Sequence, residues 1–156
     1  MYLAMKVVHI LAVVMFVGNI ATGVFWKAHA DRTKDPRIIA HVMDGIIVSD
    51  RLFTIPGVVL IIVAGFGAAG MGRIPMLRTD WILWSIILFV VSGIAFMAQV
   101  APLQRQLRDV ARNASGAEDF DLARYGALSR RWGLWGAIAL AAPLIAVALM
   151  VLKPDR

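Results

Sequence analysis

The sequence predicts an all-α fold: a polytopic membrane protein built as a bundle of four transmembrane helices. Three observations predict it. First, 60% of the 156 residues are hydrophobic and the mean hydropathy is +0.77, whereas a soluble domain is roughly 45–50% apolar. Second, the apolar residues gather into four charge-free stretches, Val7–Trp26, Leu52–Gly70, Trp81–Val100 and Trp132–Leu152, of 20, 19, 20 and 21 residues. At ~1.5 Å per residue each matches the ~30 Å hydrocarbon core of a bilayer. Third, the charged residues lie between these stretches. A net charge of +6 is therefore membrane-flanking charge, and no nucleic-acid partner is expected. The length is that of a single membrane domain, 1–156. With no cysteine, disulfides, thiolate nucleophiles and iron–sulfur clusters are excluded.

Span 1 follows Lys6 and precedes Ala28-His29-Ala30, an arrangement that imitates a cleavable signal peptide. Its apolar run exceeds the ~7–15 residues of a signal h-region, so the segment is expected to be retained. From Arg37 to Asp50, Ile38, Ile39, Val42, Met43, Ile46 and Ile47 recur at helical spacing. This segment either extends helix 2 or lies along the membrane surface, and Asp50-Arg51 is expected at the solvated mouth of span 2. Beyond span 3, Leu103–Ala111 continues as helix until Asn113-Ala114-Ser115-Gly116 turns the chain. Glu118–Arg131 then leads as a short helix into span 4. Pro56 and Pro143 fall inside spans 2 and 4, and the carbonyls they free need partners inside the bundle.

Charge orients the bundle. The connections 1–2 and 3–4 carry Lys27, Arg32, Lys34, Arg37, Arg51, Arg105, Arg108, Arg112, Arg124, Arg130 and Arg131, eleven basic residues, against five (Lys6, Arg73, Arg78, Lys153, Arg156) on the other side. The positive-inside rule places both termini outside, with the chain spanning a bacterial inner membrane. Tyr2, Trp81 and Trp84 mark the outer interface, and Trp26, Trp132 and Trp135 the inner one.

An ionisable group inside a span is a functional hypothesis by default, and His9 is the clear instance. Met5, His9, Ala12, Phe16, Asn19 and Gly23 form one stripe of helix 1, the expected inward face. Ser85, Ser92 and Gln99, spaced by seven, form the stripe of helix 3. In helix 4 Gly136, Leu140, Pro143, Val147 and Met150 are one choice among several, since the span is apolar all round. His9, Ser85 and Met150 share the outer depth. His9 is either a neutral interior histidine bonded to Ser85 or to a backbone carbonyl, a haem ligand, or part of a proton relay. With haem, the sixth ligand would be Met150, Met5, water or nothing. His9 and His29 lie 20 residues apart, ~30 Å along a helix, which excludes their sharing one metal or haem. On the inner side His41 and Asp44 can pair at i, i+3, either as part of a solvated, partly ion-paired helix face or as a metal site to which His29 could add a ligand. No phosphate loop, HExxH motif, nucleophile elbow or paired intramembrane carboxylate is present, so conventional hydrolase or ATPase chemistry lacks its residues.

Tyr2-Leu3-x-x-Lys6-x-x-His9-Ile10 with Gly18 and Phe25-Trp26-Lys27, Ser49-Asp50-x-Leu52-Phe53-Thr54-x-Pro56 with Gly65, Trp81, and Leu149-Met150-Val151-x-Lys153-Pro154 together resemble a predicted integral-membrane family, domain of unknown function 2269. That family is similar to the CopD membrane domain of copper resistance and to the HemJ-type protoporphyrinogen oxidases. In the HemJ type a Lys-x-x-His opening helix 1 holds haem b, which maps onto Lys6 and His9. The resemblance implies that His9 holds haem b; the depth shared by His9, Ser85 and Met150 would then put Ser85 beside the site and make Met150 a candidate axial partner. Trp81-Ile82-Leu83-Trp84-Ser85 stands where the HemJ type carries a lysine, which argues against protoporphyrinogen oxidation.

The leading expectation is thus a haem-binding membrane protein with a redox or haem-handling role. The alternative is a non-catalytic accessory or scaffold subunit of a larger membrane complex or homo-oligomer. A small transporter using Asn19 and the Ser85, Ser92, Gln99 stripe, or a copper-handling protein, ranks below both.

Overall fold

The computed structural model describes residues 1–154; Arg156, counted above among the outer basic residues, lies outside them. Four long helices carry the chain: α1 (Tyr2–Thr33), α2 (Pro36–Met71), α3 (Asp80–Arg112) and α4 (Leu122–Leu152), of 32, 36, 33 and 31 residues. No strand occurs among the described residues. Each helix is long and apolar enough to cross a membrane. At ~1.5 Å per residue all four exceed the ~30 Å hydrocarbon thickness. The surplus lies at the end bearing the α1–α2 and α3–α4 connections, called here the charged end. The other is the terminal end.

Local chemistry sets the helix boundaries. α1 stops at Lys34, whose φ of 53° places it in the left-handed region. Asp35 then caps α2 by accepting the Arg37 N–H at 2.8 Å, and Pro36 occupies the first helical position, where a missing N–H costs nothing. Asp121 caps α4 in the same way through the Arg124 N–H at 2.9 Å. The segment expected either to extend helix 2 or to lie on the surface extends it. The segment before span 4 is likewise one helix with it, from Leu122.

Both α2 and α3 widen into a π turn, at Asp50–Thr54 and Phe96–Val100. Each turn ends two residues before a proline, Pro56 or Pro102. A proline supplies no N–H to the carbonyl four residues back, and the backbone adjusts by passing to i, i+5 bonds, with Ile55 N–H on the Asp50 carbonyl and Ala101 N–H on the Phe96 carbonyl. The Pro143 problem is solved differently. Its freed carbonyl, that of Ala139, accepts the Ser92 hydroxyl at 2.6 Å, the kind of interior partner the sequence requires.

The expected α1 stripe faces α2. Gly67 approaches Met5, Gly57 approaches Met15 and Phe16, and Gly23 approaches Ile46. The α3 stripe faces α4, since Ser92 reaches Ala139 and the Ser85 hydroxyl donates to the Trp81 carbonyl at 2.6 Å and the Ala146 carbonyl at 3.3 Å. In α4 the buried line runs through Ala139, Ala142, Pro143 and Ala146, rotated from the expected one. Alanine wins the contact because it lets the α3 serines approach the α4 backbone.

The core is unevenly placed. Toward the charged end Ala30, Met43, Leu103, Leu107 and Trp132 join all four helices in one apolar cluster. Toward the terminal end α1 pairs with α2 and α3 with α4. No Cα of α1 comes within 8 Å of a Cα of Asp80–Ala95; the pairs touch through Phe16 and Phe89, whose ring centroids lie 6.1 Å apart.

Candidate functional site

His9 sits on the inward stripe of α1, two turns from its start, and is half-buried against α2. Its Nδ1 lies 2.9 Å from the Ile61 carbonyl oxygen. A carbonyl only accepts, so Nδ1 carries a proton, and in the neutral ring Nε2 is then the nitrogen with the lone pair. The imidazole reaches that carbonyl because Gly65, one turn further along α2, has no side chain. A Cβ there would stand 3.0 Å from both Cε1 and Nδ1 of the ring.

Of the other expected site residues, Ser85 is committed to the Trp81 and Ala146 carbonyls and belongs to the α3–α4 pair. No hydrogen bond joins it to His9 among the described residues, and of the two partners the sequence offers for His9, the backbone carbonyl is the one observed. Met150 is half-buried near the end of α4, and Lys6 is exposed one turn before His9. At the charged end Asp44 is held by Arg108 at 3.6 Å and Arg112 at 3.3 Å, while His41 and His29 are exposed. Among the described residues no three His, Asp or Glu side chains converge as a metal-binding group.

A haem ligand of this kind needs a histidine whose distal nitrogen is available and whose other ring N–H is fixed by a carbonyl or carboxylate. His9 fits that donor requirement, with Ile61 as the orienting carbonyl and Gly65 as the space for the ring.

A second constellation lies deeper, one that the sequence pattern does not single out. Asp50, expected at a solvated mouth, is 7% exposed and inside the bundle. It continues the buried α2 face of Met43, Ile46 and Ile47 at ordinary helical spacing, at the point where the π turn begins. There its Oδ1 accepts from Asn19 Nδ2 at 3.1 Å and from the Thr54 hydroxyl at 2.8 Å, and its Oδ2 from Gln104 Nε2 at 2.9 Å. Asn19 Nδ2 also donates to Thr54 at 2.9 Å. Three helices thus contribute to one carboxylate. About two turns toward the charged end, Lys27 is 4% exposed. It donates to Asp31 at 2.6 Å and to Ser129 at 2.7 Å, with its ammonium 5.1 Å from the Trp132 ring centre and 5.5 Å from that of Tyr125. The Tyr125 hydroxyl closes the group on Asp31 at 2.5 Å. The sequence does hold a signal for both. Prolonging the α1 stripe by one turn reaches Lys27, and the buried α2 face Met43, Ile46, Ile47 leads directly to Asp50 and Thr54.

The fold and these residues define a multi-pass integral membrane protein. Residues 3–154 match the family model described as predicted integral membrane protein (DUF2269), and the chain belongs to that family. No curated protein and no solved structure matches it.

Proposed function

We propose that this chain is a bacterial inner-membrane protein that holds haem b through His9 near the outer surface and serves a redox or haem-handling role. The observation that carries the reading is the fixed imidazole: Nδ1–H on the Ile61 carbonyl at 2.9 Å leaves Nε2 as the free donor, and Gly65 makes that orientation sterically attainable. Similarity of the family to the CopD membrane domain and the HemJ-type proteins, through Lys6-x-x-His9, supports it. In this reading His9 would hold haem b, with Ile61 orienting the ring, Met150 as a candidate further ligand and Lys6 and Ser85 as candidate neighbours, and the group would supply a one-electron couple. The excess of basic residues at the charged end supports a cytoplasmic position for that end, with both termini outside.

The visible spectrum of detergent-purified protein from haem-replete cells tests the reading. Wild type is expected to show the Soret and α bands of a b-type haem, and His9→Ala to lose them. A colourless wild type overturns the proposal. Co-purification of that colourless protein with another membrane protein would favour the accessory-subunit alternative.

A further inference from the structure

Asp50 has no Lys, Arg or His within 4 Å among the described residues. Its three partners, Asn19, Thr54 and Gln104, are neutral donors. An ionised carboxylate accepts about four hydrogen bonds, so one position on Asp50 is left over. Beside it is a small pocket of about 30 Å³, partly open at the bundle surface past Val24 and lined by Asp50, Asn19, Gln104, Phe96, Val100 and Trp132 among others. That volume accommodates one water, which needs roughly 10–15 Å³ or more. Trp132, 7% exposed and lining the same pocket, has a buried indole N–H with no partner. A buried donor left unpaired costs about 1–3 kcal/mol.

Within the lining the Asn19 and Gln104 amides donate to Asp50, and Trp132 adds an indole N–H without a partner. The space suits one water that accepts from Trp132 and donates to Asp50. Such a water also gives the carboxylate a proton-transfer partner. The charges near Asp50 leave its own charge uncompensated. From α1 come Lys27 and Asp31, which neutralise one another at 2.6 Å; from α4 comes Tyr125, bonded to Asp31; α3 presents the neutral Gln104; and Arg51, next to Asp50 on α2, is exposed.

We propose that Asp50 is a membrane-embedded proton-binding site, in which the carboxylate takes one proton from, and returns it to, a single water held by the Trp132 indole. The step balances as carboxylate plus hydronium giving carboxylic acid plus water. This site is independent of His9 and stands whether or not haem is bound there.

Infrared difference spectroscopy on the full chain in liposomes tests it, with bath pH stepped between acid and alkaline. Wild type is expected to show one protonated-carboxyl C=O band that appears and disappears reversibly, is absent in Asp50→Asn, and is shifted in Trp132→Phe, which keeps the carboxyl but removes the donor to the water. Exchange of choline for sodium at fixed pH is expected to leave the band unchanged. The proposal is overturned if wild type shows no such band, if the band survives in Asp50→Asn, if Trp132→Phe leaves its frequency unmoved, or if sodium removes it. Should Asp50→Asn not fold, the Trp132→Phe and sodium arms still decide.

Discussion

Replacing Gly65 by alanine isolates the contact that fixes His9. Two effects oppose each other. Alanine in a helix is favoured over glycine by about 1 kcal/mol. The new Cβ, however, would lie 3.0 Å from two atoms of the His9 ring, so the ring must move by a few tenths of an ångström. It is pinned by its 2.9 Å bond to the Ile61 carbonyl. Yielding therefore sacrifices a hydrogen bond of about 0.5–1.5 kcal/mol or incurs overpacking of about 1–3 kcal/mol. With the ring held in place the overpacking cost is the larger, and Gly65→Ala is expected to destabilise by up to about 2 kcal/mol once the helix gain is subtracted. At Gly18 and Gly93 a Cβ meets nothing within 4 Å, so alanine there is expected to be neutral or stabilising by up to about 1 kcal/mol. The cause is tested by the cycle with His9→Ala: without the imidazole, Gly65→Ala takes the sign of the controls, giving a coupling of about 1–3 kcal/mol. The assay is thermal unfolding in detergent, where each kcal/mol moves the midpoint by roughly 2–4 °C for a chain of this size. A Gly65→Ala that stabilises as Gly93→Ala does, or a null coupling to His9→Ala, would refute the reasoning.

Three further outcomes follow from the geometry. Ser92→Ala removes the donor to the Ala139 carbonyl freed by Pro143 and should cost about 0.6–2 kcal/mol; in a Pro143→Ala background, where a backbone N–H can satisfy that carbonyl, thermal unfolding should show most of the cost gone. Lys27→Met severs the buried ammonium from Asp31 and Ser129, and because the Asp31 side chain is 30% exposed and keeps water and Tyr125 as partners, the loss in the same assay should be about 1–3 kcal/mol, below that of a fully buried pair. For the proposed orientation, single cysteines placed in this cysteine-free chain at Arg78 and Asn113 should react with an impermeant maleimide in intact cells at Arg78 only; labelling of the Asn113 site would invert the topology.

The fold is legible in the sequence because the property that dominates it, apolar length, runs continuously along the chain. The inward face of α1 follows from its own periodicity, which needs no tertiary information, whereas the helix before span 4, expected from Glu118, starts at Leu122 after the Asp121 cap. The candidate site is legible in part. His9 stands out because it is a lone ionisable residue in an uncharged run, but neither its Ile61 partner nor the need for glycine at Gly65 can be read from α1 alone. Asp50 escapes a reading that bounds spans at charges, because that criterion assigns a carboxylate beside Arg51 to solvent. Its helical spacing from Met43, Ile46 and Ile47 is the signal that criterion overrides. The π turn carries the discrepancy on α3, where one extra residue rotates the helix face. On α3 the stripe predicted through Gln99 passes instead to Val100 and Gln104, both buried. In α4 uniform apolarity leaves no periodic signal, and close packing against the α3 serines selects the alanines.

The haem content of purified protein tests the central claim most directly, measured as pyridine haemochrome against protein concentration for wild type and His9→Ala. A near-stoichiometric haem b in wild type that falls to background in a folded His9→Ala protein is the predicted result. A wild type free of haem, or a His9→Ala protein that retains it in full, would contradict the account.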